Sequence, residues 1–388
     1  MAHPYDSLTE EKLRGLHGTK WNNYPEDVLP LWVADMDFPI AEPIRQAIRD
    51  YADCDDFGYP LGSGIPGLLD AVTGHLKRRH GVTYAPENIM PASGIIPGIY
   101  LGTTALAGPG DEVITQPPVY PPFAAAMEST GRKLLENPMI HRGGGRWEFD
   151  FDHLESSIGP ATRLLILCNP QNPTGRVFSH EELERLGRIV VDNRLWVISD
   201  ELHSDLVLDG KHVPFASLSD EVAQRTLTLF GPTKTFNIAG LKVGFAMSHN
   251  EELLTHFRNT ARGLLTPPNV LAQAAARAAF TECGEWLEST LAYLRGNAQL
   301  LQELVENELP GVRYTPAAGT YLAWLDFSDV IDPEVLDDFL FEEARVAVNP
   351  GASFGPGGAG LVRLNLATSA GIIREAVERI RGALAARG

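Results

Sequence analysis

Between about Pro43 and Ala246, short apolar runs alternate with segments of helical period, and this alternation restricts the fold more than any other feature. The clearest runs are Glu112 to Thr115, Arg163 to Leu167, Leu195 to Ser199 and Thr226 to Phe230. Between them, Ser179-His-Glu-Glu reads as a capping box opening a helix to about Asn193, and Ala92 to Ala107 reads as a helix after a glycine-containing turn. Strands and helices in alternation, joined by short connections, predict an α/β layer with a mostly parallel sheet.

The 388 residues exceed what one core usually serves, roughly 250 to 300 residues, so two domains are expected. After Gln273 the pattern becomes a long helical stretch through Glu308, then strands near Tyr321 to Asp326 and Leu361 to Leu366, and a last helix from about Gly371. We expect an N-terminal arm over 1–42 that belongs with the smaller domain, a large domain over 43–285 and a smaller α/β domain over 286–388. The arm lacks a sustained period and carries Trp21, Trp32 and Phe38 among prolines, which points to packing against another surface.

Lys and Arg total 32 against 50 Asp and Glu, leaving a formal charge of −18 at pH 7. Such a surface repels phosphate backbones and anionic lipid head groups, so neither nucleic acid nor membrane is expected as a partner. Cys54, Cys168 and Cys283 lie far apart without a C-x-x-C pair, which fits neither a disulfide framework nor a zinc ribbon. The start MAHPYDSLTEEKL is polar, and no run approaches the ~20 apolar residues of a membrane span. A cytoplasmic location is expected.

Three polar residues close apolar strands. Lys234, one of seven lysines, stands in GPTKTFNIAG directly after TLTLF. A lysine held desolvated at a strand end has its pKa lowered, which frees a neutral amine to form a Schiff base with an aldehyde. Asp200 ends the strand in LWVISDELH, and Asn172 follows another in LLILCNPQNPTG. Singly, these are a solvated loop lysine, a helix cap and an Asx turn. Jointly they gather at the carboxyl ends of parallel strands, where open α/β sheets bind ligands. A pyridoxal ring needs a carboxylate for its nitrogen, a donor for its phenolic oxygen and a lysine for its aldehyde.

With these residues in this order, the chain resembles the fold-type I pyridoxal-phosphate enzymes, the aspartate aminotransferase superfamily, over nearly its whole length. The resemblance implies pyridoxal 5′-phosphate as cofactor and, in the large domain, a mostly parallel sheet of the seven-stranded type flanked by helices. It implies Lys234 as the Schiff-base lysine, Asp200 on the pyridine nitrogen, Asn172 on the phenolic oxygen and Tyr120 of PPVYPPF stacked on the ring. Lys234, Tyr120 and Asp200 are then the catalytic set, and His203 lies at the cofactor. The turn Ser93-Gly94-Ile95-Ile96, which opens a helix, is expected to hold the phosphate together with Thr233 and Lys242.

Tyr59 of FGYP matches a tyrosine that reaches the phosphate of the neighbouring subunit, implying a homodimer with shared active sites. A turn aromatic packed in the core is the equal alternative. Arg363 in LVRLNLA is a charge within an apolar strand, costly if unpaired. It matches the arginine that grips the substrate α-carboxylate in a bidentate fork, a structural ion pair being the other reading. Asn172, Tyr59 and Tyr321 are expected beside the amino-acid substrate. Two departures stand out: Gly231 occupies a position three before the lysine where many members have serine, and Lys242 one eight after it where they have arginine.

Asp200-Glu-Leu-His203 has histidine where aminotransferases of the superfamily usually have tyrosine. With WVADMDFP at 32–39, FGYP, PPVYPPF, TKTFNIAGLK and GTYLAWLD at 319–326, this is similar to the cysteine-S-conjugate β-lyase branch, which includes cystathionine β-lyases. The implied reaction is α,β-elimination of L-cystathionine or another S-substituted cysteine to thiol, pyruvate and ammonia. An aminotransferase of class I/II is the alternative, because both share the early steps; a lyase with an added transcription-regulatory binding role is a further one.

Other motifs carry less. Gly62-Ser-Gly64-Ile-Pro-Gly67 fits G-x-G-x-x-G but follows turn-like DCDDFGYP rather than a strand. His203-Ser204-Asp205 holds triad residue types that, being consecutive, do not face one another. His75 and His80 are five apart, off the one-turn spacing of helical metal ligands, so no catalytic metal is expected.

Overall fold

The computed structural model describes residues 3–143 and 145–387. The strands that position the site are β1 (Leu29–Pro30), β2 (Ile89–Ala92), β3 (Glu112–Thr115), β4 (Lys133–Glu136), β5 (Thr162–Cys168) and β6 (Trp196–Asp200). They are followed by β7 (Thr226–Phe230), β8 (Gly244–Met247), β9 (Leu322–Asp326), β10 (Val346–Ala347), β11 (Asn349–Pro350) and β12 (Leu361–Asn365). A seven-stranded sheet runs in the order β2-β8-β7-β6-β5-β3-β4. Strands β4, β3, β5, β6 and β7 pair in parallel, and β8 is antiparallel to both β7 and β2. The carboxyl ends of β2, β5, β6 and β7 therefore share one edge.

Two-residue alternation sends the side chains of each central strand to opposite faces. Leu164 and Ile166 of β5 enter one core with Ile198 and Leu227, while Leu165 and Leu167 enter another with Val197. Burial on both faces explains why these strands read as near-continuous apolar runs.

The main helices are α1 (Glu42–Asp53), α2 (Leu68–His80), α3 (Ile95–Leu106), α4 (His180–Asp192), α5 (Val270–Glu282), α6 (Gly284–Glu308) and α7 (Ala370–Arg387). Helix α4 begins on the expected capping box of Ser179 with Glu182, and its Leu183, Leu186 and Val190 cover one face of the sheet. Helix α3 covers the other with Ile95, Ile99 and Leu106. It lies close to the sheet: a Cβ on Gly102 would stand 2.9 Å from Cδ1 of Ile198.

Several boundaries shift by one residue from the sequence reading, and two differ by more. Ala92 pairs with Gly244 as the last residue of β2, so Ser93 and Gly94 form the turn and α3 starts at Ile95. The stretch read as one helix from Gln273 to Glu308 starts at Val270, capped by the Asn269 side chain, and breaks at Cys283, where backbone outside helical geometry precedes Gly284. Among the described residues no helix is long and apolar enough to cross a membrane.

The N-terminal stretch is held by strand pairing and aromatic packing. Strand β1 pairs in parallel with β10, the Tyr5 ring stacks on Phe38 at 4.0 Å, and the Tyr5 hydroxyl shares a 2.9 Å hydrogen bond with Thr290 Oγ1. A three-stranded sheet, β9-β12-β11, completes this part of the molecule.

Beyond β6, the buried Asp205 carboxylate holds α2 in place. It meets His75 Nε2 at 3.0 Å, His80 Nε2 at 2.9 Å and Arg79 Nε at 3.2 Å. The two histidines are off a common helical face, yet His80 is the last residue of α2 and its ring turns onto the same carboxylate. Burial by itself would raise the Asp205 carboxyl, but the two imidazoles hold it far below the usual carboxylate range. Removing the carboxylate strands buried donors without an acceptor. Asp205→Ala should therefore cost about 3–5 kcal/mol in urea denaturation, whereas a loss under about 1 kcal/mol, the scale of a surface ion pair, would mean that α2 does not depend on this contact.

Candidate active site

A cavity of about 510 Å³ opens at the shared strand edge. Its wall draws Ser93 through Ile96 from behind β2, Asn172 from behind β5, Asp200 from the end of β6 with Leu202 and His203 behind it, and Thr233 with Lys234 from behind β7. Tyr120, Lys242, Arg363, Val33 and Ala34 also line it. The chain thus gathers every expected site residue except two. Tyr321 is buried behind the wall and donates its hydroxyl to the Ala34 carbonyl at 2.8 Å. Tyr59 is fully exposed, which removes the reading of it as a core aromatic.

Lys234 is 21% exposed at its side chain; its Nζ donates to the Ala34 carbonyl at 2.6 Å and lies 3.5 Å from Asp35 Oδ1. Burial lowers its pKa, Asp35 partly restores it, and Arg363 lowers it further. Burial also pushes the Asp200 carboxyl up to about 7, partly offset by the Leu202 N–H and reinforced by Glu201. Among the described residues that N–H, at 3.2 Å, is the only hydrogen bond to the carboxylate. His203 is driven down to about 3 by burial, Lys234 and Arg363, so its ring is neutral. Its Nδ1 is buried without a partner among the described residues.

Arg363 sits mid-strand in β12, paired in register with Asn349 and Trp324. Its NH1 donates to Asn172 Oδ1 at 2.9 Å, and its NH2 donates to Asn349 Oδ1 at 2.6 Å and to the Trp32 carbonyl at 3.1 Å. The guanidinium also lies 5.0 Å from the centre of the Phe354 ring. None of these partners is anionic, and Nε has no partner among the described residues. The structural ion pair is therefore not what holds Arg363, and its charge is free to meet a carboxylate. Burial lowers its pKa to about 10, still charged at neutral pH.

At the other end, α3 starts on Gly94 with φ 108° and no side-chain cap, leaving a helix N-terminus suited to an anion. Thr233 and Lys242 line the same cavity. The glycine at 231 has a steric cause: a Cβ there would stand 2.9 Å from the Val243 carbonyl oxygen and 3.1 Å from Gly244 Cα, so a serine has no room.

These residues fit pyridoxal phosphate. A protonated ring nitrogen would supply the countercharge that the buried Asp200 lacks. Because Asn172 Oδ1 is taken by Arg363, its Nδ2 remains to donate to a phenolic oxygen. An aldehyde would meet Lys234, and a phosphate the start of α3. Sequence reasoning missed Asn349, which strand register brings to Arg363, and the Trp32 carbonyl and Phe354, which tertiary packing brings there. Asp35 lies within WVADMDFP, but its approach to Lys234 is not legible there.

A family model described as aminotransferase class I and II matches residues 26–380. Cystathionine beta-lyase PatB of Bacillus subtilis is 38% identical over 389 residues, covering 97% of this chain and 98% of that protein. Among solved structures, cystalysin from Treponema denticola, which contains a pyridoxal 5′-phosphate cofactor, matches with a TM-score of 0.94 at 29% identity, covering 100% of both chains. The PLP-bound C-S lyase from Staphylococcus hominis matches with a TM-score of 0.90 at 29% identity, covering 98% of this chain and 99% of that one. A match over nearly the whole chain, on a fold whose strand ends bring the expected side chains into one cavity, means that the chain belongs to the class I and II aminotransferase family.

Proposed function

We propose that the protein is a pyridoxal-phosphate-dependent carbon-sulfur β-lyase, which splits L-cystathionine or another S-substituted L-cysteine into a thiol, pyruvate and ammonia. The observation that carries this reading is one cavity in which Lys234, Asp200 and an arginine without an anionic partner converge, in a chain 38% identical to a cystathionine β-lyase.

Pyridoxal phosphate held by these residues would supply an electron sink for the charge that develops at the substrate Cα. Arg363 and Asn172 fix the α-carboxylate at the inner end of the cavity. Lys234 Nζ, its pKa lowered by burial, takes the proton from Cα. The Cβ–S bond then breaks, the thiolate leaves with the electron pair, and the three-carbon remainder hydrolyses to pyruvate and ammonia. Asp200 would hold a proton at the pyridine nitrogen, while the neutral His203 would add hydrogen bonding without adding charge. Tyr120, on the cavity wall, would pack against the ring.

The reading includes a homodimer in which the exposed Tyr59 reaches the neighbouring subunit's phosphate, a cytoplasmic location, and an arm over 1–42, a large domain over 43–285 and a smaller one over 286–388. The deciding experiment supplies L-cystathionine to the purified, cofactor-loaded protein without a keto acid. Steady release of pyruvate and ammonia is expected; turnover only after a keto acid is added would make the protein an aminotransferase.

Lys234→Ala should lose the visible absorbance of lysine-bound cofactor and slow turnover by at least about a thousandfold. A variant that stays yellow and active would remove Lys234 from the reaction.

For Asp200 the sign follows from its raised pKa. The stability present below the unfolded value of 3.8 is lost as pH rises through about 7, because the folded state resists ionisation. Cofactor-free Asp200→Asn protein should thus be at least as stable as the parent at pH 8 in urea denaturation, yet bind cofactor at least tenfold more weakly. A less stable variant with undiminished cofactor affinity would contradict both halves.

A further inference from the structure

The backbone of residues 33–35 is pinned at the rim of the cavity. Asn365 Nδ2 donates to the carbonyls of Val33 and Asp35, each at 2.7 Å, and Tyr321 holds the Ala34 carbonyl. Val33 and Ala34 line the cavity wall. The Asp35 carboxylate contrasts with this fixed backbone. It is 41% exposed, and among the described residues its one ionic contact is Lys234, at 3.5 Å. Nearby Asp37 is buried and engaged by Lys20 at 2.8 Å and by the Trp21 indole at 2.7 Å. Asp200, the acid within the cavity, is buried at the end of β6. Asp35 is thus a half-exposed anion beside the reacting amine, held by a backbone that does not need its charge.

The geometry points to Asp35 as a specificity residue that receives a cationic group on the distal arm of the substrate's sulfur substituent and disfavours an anionic one. This rests on the lyase reading, in which Lys234 is committed to the cofactor and the α-proton and so is not a lasting partner for Asp35. With the α-carboxylate at Arg363 and Cα beside Lys234, the sulfur arm must leave toward the rim. An ammonium on that arm, as in S-(2-aminoethyl)-L-cysteine, meets a carboxylate there. A second carboxylate at the same place, as in a dicarboxylic amino acid, meets like charge. Because Asp35 is partly solvated, the preference is modest and salt-sensitive.

The test compares S-(2-aminoethyl)-, S-ethyl- and S-carboxymethyl-L-cysteine, which differ in arm charge, on the cofactor-loaded enzyme. Wild type should prefer them in that order by kcat/KM. Asp35→Asn should reduce the aminoethyl-to-ethyl ratio about fivefold, 0.5 M salt should narrow the wild-type ratio, and Asp35→Lys should favour the carboxymethyl arm. Dissociation constants from the change in the cofactor's visible spectrum should follow the same order. If the three substrates fall together in Asp35→Asn, the residue acts only through Lys234 and the inference fails; an unaltered ratio overturns it equally. Absence of elimination from all three by wild type would sink the lyase reading instead, while the spectral constants would still decide the charge selection.

Discussion

The guanidinium of Arg363 ties together three stretches of chain that are remote in sequence. It donates to the carbonyl of Trp32 in the arm, to Asn172 behind a central strand and to Asn349 on its neighbouring strand. A buried charge among neutral acceptors is expensive unless its donors are met, and these partners meet two of its nitrogens while leaving the charge uncancelled. Each stretch must be in place for the others to serve. The arm strand β1 against β10 and the Asn365 bonds to the arm backbone keep Trp32 within reach.

Solvent exclusion sets the electrostatics of the cavity more than any pair of charges. Burial is the leading cause of the lowered Lys234, the raised Asp200 and the lowered His203, three groups each pushed toward its neutral form. The molecule carries −18 overall, yet Lys234, Arg363 and Lys242 meet at one opening. The sign of the whole surface therefore says little about what the site attracts, and local placement decides it.

Much of this was legible because it is periodic or local. Glu112–Thr115 and Thr226–Phe230 form strands over the residues expected, since apolar runs buried on both faces have few other homes. Lys234, Asp200 and Asn172 could be read together because each ends or follows such a run, and parallel strands bring their ends to one edge. What stayed hidden depends on contacts across long separations. Asn349 meets Arg363 through register, Asp35 meets Lys234 across 199 positions of chain, and His75 with His80 converges on Asp205 because one of them closes its helix. The break at Cys283 is hidden in the sequence because the apolar pattern continues through it into α6. Tyr59 had two readings of equal weight until its full exposure removed one.

The close approach at Gly231 also limits how this protein can be redesigned. Position 231 lies against the backbone of Val243 and Gly244, so importing a hydroxyl there is not a side-chain exchange but a movement of one strand away from another. Lys242 lies just before that backbone, so such a movement would disturb it too. The two positions that depart from the commoner family pattern are thus mechanically joined, and a change aimed at either must be designed for both.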